Sequence, residues 1–216
     1  MNKIAIPTVV AVSVLFALAG CAAGSATPET IPATAITEPT MSTSNPSETP
    51  SPSASDPDAT TAFTVTSADF ADGDELAESA KASAFDGQCT GDNINPALEW
   101  SNLPEGTVTL AIAMTDESAN GWVHWLHANI PADVTGVASG ASADLAGVTG
   151  RDQAMGQAAY FGPCPPGPNH RYVFTVYALD AELALEESYS FSDFVVAMKD
   201  HVLGKTAITG MASGGA

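Results

Sequence analysis

Basic residues are scarce in this chain. Six lysines and arginines stand against 25 aspartates and glutamates, a net charge of −19 over 216 residues. A surface of that sign repels phosphate backbones and anionic headgroups, so neither nucleic acid nor an anionic bilayer is a partner by bulk attraction. A full-length transmembrane run is lacking as well. The extended apolar stretch at 4–19 falls short of the roughly 20 residues that a spanning helix needs. Cysteine is rare, three residues in all. No G-x-S-x-G elbow and no H-E-x-x-H pair is present, and no internal repeat, which removes the commonest serine-hydrolase and zinc-protease readings.

What is there begins at the first residues. Lys3 supplies a short positive n-region, the apolar run follows, and Leu18-Ala19-Gly20-Cys21 closes it. An aliphatic residue, two small ones and a cysteine form the lipobox of a bacterial lipoprotein signal peptide, assigned to residues 1–20. Cys21 is then the lipidated N-terminus, and loss of Lys3 takes the mature charge to −20. Two or three acyl chains, at about 0.8 kcal/mol per buried methylene, anchor far better than one. The expected location is the cell membrane, lipid-anchored on the extracytoplasmic face. The segment that follows, to residue 62, is almost wholly Ser, Thr, Pro, Ala and acidic residues, too poor in apolar groups to repay ordering. It reads as a disordered tether with a reach of about 35 Å.

From residue 63 to 216 the texture changes to short apolar runs punctuated by Gly, Pro, Asn and Asp, the mark of a mainly antiparallel β domain. Strands are predicted at 107–114 (TVTLAIAM), 122–130 (WVHWLHANI) and 172–179 (YVFTVYAL). A helix is predicted at 192–203 with Ser192 as N-cap and Gly204 past its end, and 74–82 has helical propensity. With Cys21 lipidated, Cys89 and Cys164 remain in an oxidising compartment. They either form one bond across 75 residues or stay as two buried thiols.

Side chains two apart on a strand share a face. Trp122 and His124 are therefore predicted to point one way and His127 the other, so that the H-x-x-H spacing makes no metal pair. His170 and Tyr172 share a face in the same manner. Ahead of them the stretch GPCPPGPN, with Pro163, Pro165, Pro166 and Pro168, cannot be interior strand and reads as a stiff loop at a pocket rim.

Five ordered blocks carry a family resemblance: CTGDNINPALEW, a strand ending in Thr115-Asp116, GWVHWLHANIPAD, GPCPPGPNHRYVFTVYALD and AMKDHVLGKTAITG. In order and spacing they resemble the phosphatidylethanolamine-binding protein family, specifically its bacterial Raf-kinase-inhibitor-like (YbhB/YbcL) branch. The resemblance covers 63–216. It implies a fold of two antiparallel sheets with a few peripheral helices and a small anion pocket at one end. The implied ligand-binding residues are Asp116, Trp122, His124, His170 and Tyr172, with Gly162 at the head of the proline loop. Asp116 is expected to accept a hydrogen bond from one histidine, and bound phosphate is expected to leave as the histidines deprotonate. Two blocks depart from the family pattern. Asp-Pro-Asp-Ala-Pro is replaced by Asp116-Glu117-Ser118-Ala119-Asn120, and Asn-Asp-Phe-Gly by Gln153-Ala154-Met155-Gly156.

The function these features favour is a lipid-anchored, non-catalytic binding protein for a small phosphoryl or carboxylate ligand, without cofactor or metal. Its anion could belong to a free small molecule, a headgroup or a protein segment. Two other classes compete: an inhibitor or regulator of an extracytoplasmic protease or kinase, and a weak histidine-based hydrolase.

Overall fold

The computed structural model describes residues 62–214. The signal segment, Cys21 and the tether as far as residue 61 lie outside the described residues. In chain order the strands are β1 (Thr64–Thr66), β2 (Ser83–Ala84), β3 (Cys89–Thr90), β4 (Leu98–Ser101) and β5 (Thr109–Asp116). They continue with β6 (Trp122–Pro131), β7 (Gly136–Val137), β8 (Val148–Gly150), β9 (His170–Leu179) and β10 (Val202–Ala212), and one α-helix, α1 (Phe191–Met198), precedes β10. Short 3-10 turns join several of them.

These strands make a three-stranded sheet, β1-β4-β7, a five-stranded sheet, β10-β9-β5-β6-β8, and a small hairpin, β2-β3. All strand pairs are antiparallel. The mainly β architecture expected from the sequence is thus present, with the β2-β3 hairpin added.

The five-stranded sheet is covered on both faces. Its central strand β5 is buried almost throughout, and its side chains sort by size. Leu110, Ile112 and Met114 join Trp100, Leu98 and Val65 between the two sheets, while Ala111 and Ala113 leave room for Phe194 and Met198 of α1 on the other side. Burying each large aliphatic or aromatic side chain here contributes on the order of 1.5–3 kcal/mol. The strand that carries Asp116 is therefore held from both faces.

Two helix expectations are corrected. The N-cap of α1 is Ser190, not Ser192: the Ser190 side chain accepts from the Asp193 backbone N–H, and the Asp193 carboxylate accepts from the Ser190 N–H, a reciprocal capping box. The helix stops at Met198. Val202 and Leu203, an apolar pair at helical spacing from the residues before it, open β10 instead, and Gly204 lies within that strand at a register shift. At 74–82 there is only a 3-10 turn, Glu78–Ala80. The Gly73 and Leu76 N–H groups donate to Thr209 and Met211 of β10, and Met211 donates back to Asp74, so pairing to a strand outcompetes local propensity.

Candidate functional site

Register across the five-stranded sheet brings the chemistry together. Asp116, the last residue of β5, pairs with Trp122 on β6 and with Tyr172 on β9, so three side chains from three strands form one row. His170, two residues before Tyr172, shares its face and donates from Nδ1 to Asp116 Oδ2 at 2.7 Å. Asp116 Oδ1 accepts from the Ser118 and Ala119 backbone N–H groups at 2.9 and 3.2 Å, which makes it the cap of the 3-10 turn Glu117–Ala119. Three donors on one carboxylate fix its plane and, through it, the His170 ring. The pair is shielded, with Asp116 only 4% and His170 16% exposed.

His124 reaches the same place by a defect in the strand. Between Met114/Thr115 on β5 and Trp125/Val123 on β6 the register shifts, and His124 is the extra residue. Such a bulge re-aims one side chain. The His124 Nδ1–H donates to the Phe161 carbonyl at 2.9 Å, and the ring stacks on Phe161 and meets Tyr172 edge-on at 5.1 Å. A carbonyl only accepts, so the proton of the neutral ring is on Nδ1 and Nε2 carries the lone pair. Burial pulls the His124 pKa below its usual 6.5, opposed by the Phe161 carbonyl and the Asp116 charge. Burial likewise raises the Tyr172 phenol well above its ordinary value, with Asp116 adding to the effect, so it stays a donor at every physiological pH.

The same register shift changes the expectation for His127. His127 pairs with Ile112 and lies beside Trp125, on the same face as His124 rather than the opposite one. Alternation fails because the His124 bulge intervenes. The two histidines still make no pair: His127 is held by the Ala146 carbonyl and the Thr149 hydroxyl at 3.1 Å each. Among the described residues no cluster of His, Cys, Asp or Glu is arranged to hold a metal.

These groups line a cavity of about 350 Å³. Asp116, Trp122, His124, His170 and Tyr172 all contribute to its wall. Trp122 is 44% exposed at the rim, and no lysine or arginine lines the cavity. Larger grooves, of about 670 and 540 Å³, lie elsewhere but gather carboxylates or a sheet edge without convergent imidazoles. Ala154 lines the cavity where the family pattern carries an aspartate, so a carboxylate is absent from that wall. Its loop is held by Asp152, which accepts from the Met155 and Gln157 N–H groups, and by Gln153, which exchanges two hydrogen bonds with Val123 beside the bulge.

The proline loop is anchored at several points. Cys164 is disulfide-bonded to Cys89 with Cα atoms 5.8 Å apart, Ala82 donates to the Pro163 carbonyl, and Gly214 donates to the Gly167 carbonyl. Gly162, expected in the ligand set, does not line the cavity. Its N–H donates to Asn93 Oδ1 at 2.8 Å, and its α-carbon is packed so closely on the Ala80–Ala82 backbone that a Cβ would collide with the Ala80 carbonyl. Gly162→Ala is expected to cost about 1–3 kcal/mol of stability, as overpacking does, measured by the urea midpoint. An unchanged midpoint would mean that the loop can step aside. Pro165 and Pro166 line the cavity, as the rim reading of the proline loop expects, whereas Phe85 and Phe161 carry no local signal and enter the wall unforeseen.

A family model described as phosphatidylethanolamine-binding protein matches residues 66–213. The UPF0098 protein YbhB of Escherichia coli K12 is 37% identical over 155 residues, covering 67% of this chain and 96% of YbhB. Among solved structures, E. coli YbcL, described as a new member of the mammalian PEBP family, superposes with a TM-score of 0.65 at 32% identity, over 70% of this chain and 98% of YbcL. A putative homologue from Chlamydia trachomatis gives 0.63 at 28% identity, over 71% and 99%.

Proposed function

The chain belongs to the phosphatidylethanolamine-binding protein family, and from that premise we propose that it is a non-catalytic binding protein whose cavity takes the phosphoryl or carboxylate end of a small ligand. One observation carries the reading: two imidazoles, one tied to a carboxylate and one to a backbone carbonyl, converge with a protonated phenol on a cavity that has no other charged donor. Each ring has one nitrogen engaged by the protein, which leaves Nε2 for a ligand and makes it a donor in the imidazolium form. A buried anion needs such directed donors to offset its desolvation. The Cys164 sulfur is bonded and the Tyr172 phenol is kept protonated, so neither offers the histidines a nucleophile to activate.

The same proposal places the protein on the extracytoplasmic face, anchored through Cys21. Two features support this: the Leu18-Ala19-Gly20-Cys21 pattern and a disulfide of the kind that persists in oxidising compartments. Calorimetric titration of the full chain with sodium phosphate at about pH 6 tests the pocket. His170→Ala is expected to weaken binding by about tenfold or more, the scale of one charge-assisted hydrogen bond. Absence of phosphate binding to the unaltered chain would sink the reading.

A further inference from the structure

Phe85 takes no part in holding an anion, yet it lines the cavity with 46% of its surface exposed. Its position is held against a local cost. Phe85, Asp86 and Gly87 adopt successive φ values of 55, 53 and 87°. That left-handed region suits glycine and disfavours a residue with a Cβ by about 1–2 kcal/mol. Strain of this kind persists only where the surroundings over-determine the conformation, and it concentrates at ligand clamps.

The surroundings here are specific. Phe85 follows Ala84, Ala84 pairs with Cys89, and Cys89 is bonded to Cys164 in the proline loop. The Phe85 ring meets Phe161 edge-on at 6.2 Å, and Phe161 stacks on His124 at 5.9 Å. An unbroken run of rings therefore connects the hairpin tip to one of the two imidazoles. Trp122 is a second half-exposed aromatic on the same wall. A bare tetrahedral oxyanion displaces the volume of roughly three waters, about 90 Å³, against a cavity of about 350 Å³. Bound at the imidazoles alone, it would leave most of the space and both exposed rings in water.

We propose that Phe85 is a specificity-determining residue, selecting anions that carry a flat or compact apolar substituent over the bare anion. The inference rests on the anion-pocket reading above and adds the other half of the ligand. Aromatic contacts of this kind supply area burial and a preferred edge or stacked geometry, without any added charge.

Phenyl phosphate and inorganic phosphate are the probes, titrated against the full chain by calorimetry at one pH. Phenyl phosphate is expected to bind about tenfold more tightly. Phe85→Ala keeps the Cβ, and with it the backbone strain, and removes only the ring. It is expected to bring phenyl phosphate to within about twofold of inorganic phosphate, leave the latter unchanged, and let Phe85→Tyr retain the preference. Equal affinities in the unaltered chain, or an equal loss of both ligands in Phe85→Ala, overturns the inference while the anion pocket stands. If neither probe binds the unaltered chain, the pocket reading and this inference fall together.

Discussion

Replacing Cys89 and Cys164 together with serine is expected to lower the free energy of unfolding by about 4 kcal/mol and the melting temperature by roughly 10 °C or more. The bond closes a loop of 75 residues. Chain-entropy reasoning gives about 4.5 kcal/mol for a loop of that length, a ceiling because the unfolded chain is more compact than the ideal one. The loss is expected to appear mainly as a lower denaturant midpoint. The two cores that flank the five-stranded sheet contain neither cysteine and keep their packing. Matched urea melts of the oxidised chain, the reduced chain and the double serine variant check this. A midpoint common to all three would show that the hydrogen bonds from Ala82 to Pro163 and from Gly162 to Asn93 hold the loop unaided. A reduced chain that melts like the variant, below the oxidised one, assigns the stability to the bond itself.

That same loop shows where sequence can and cannot be read. Four prolines and Cys164 announce a rigid rim, because proline removes donors and fixes φ wherever it occurs. Strand positions were equally legible in the runs around Ile112, Trp125 and Phe174, whose residues prefer a half-buried pleated surface. Boundaries and facing were not. A bulge is a property of two strands: nothing between Trp122 and Ile130 says that β5 offers one residue fewer across from His124, and with that shift unknown the alternation rule put His127 on the wrong face. The helix reading failed in a related way. Val202 and Leu203 fit a helical stripe, and only the edge offered by β9 pulls them into β10. Asp116 entered the site by resemblance alone, since an aspartate at the end of a strand has no signature until Tyr172 and Trp122 are paired to either side of it. Phe85 was invisible for the strongest reason. Its place depends on a short hairpin and a left-handed turn that a phenylalanine does not announce, held by a disulfide from Cys89 to a residue 75 positions further on.

Sulfate affinity is expected to fall, by up to about tenfold per pH unit, as pH rises through the neutral range. The sign follows from the two states of His124. In the free protein burial holds its pKa below 6.5, so the neutral ring is the majority form from pH 6.5 upward. Neutral His124 has spent its N–H on the Phe161 carbonyl and offers a lone pair at Nε2, which repels a sulfate oxygen. Protonation turns that nitrogen into a donor, and a bound dianion stabilises the charge, so the pKa in the complex lies above its value in the free protein. Between the two values binding takes up one proton, and raising the pH opposes it. Sulfate has no proton of its own here and gains no relief. Phosphate retains an O–H that can donate to the bare Nε2, so its affinity is expected to decline less steeply over the same interval. His124→Gln separates this from every other titration in the cavity, because an amide presents the same donor at all pH values. The variant is expected to flatten the sulfate profile while leaving His170 on Asp116. A sulfate affinity independent of pH in the unaltered chain would place the anion away from His124. A slope that survives His124→Gln would overturn the assignment of the proton to His124.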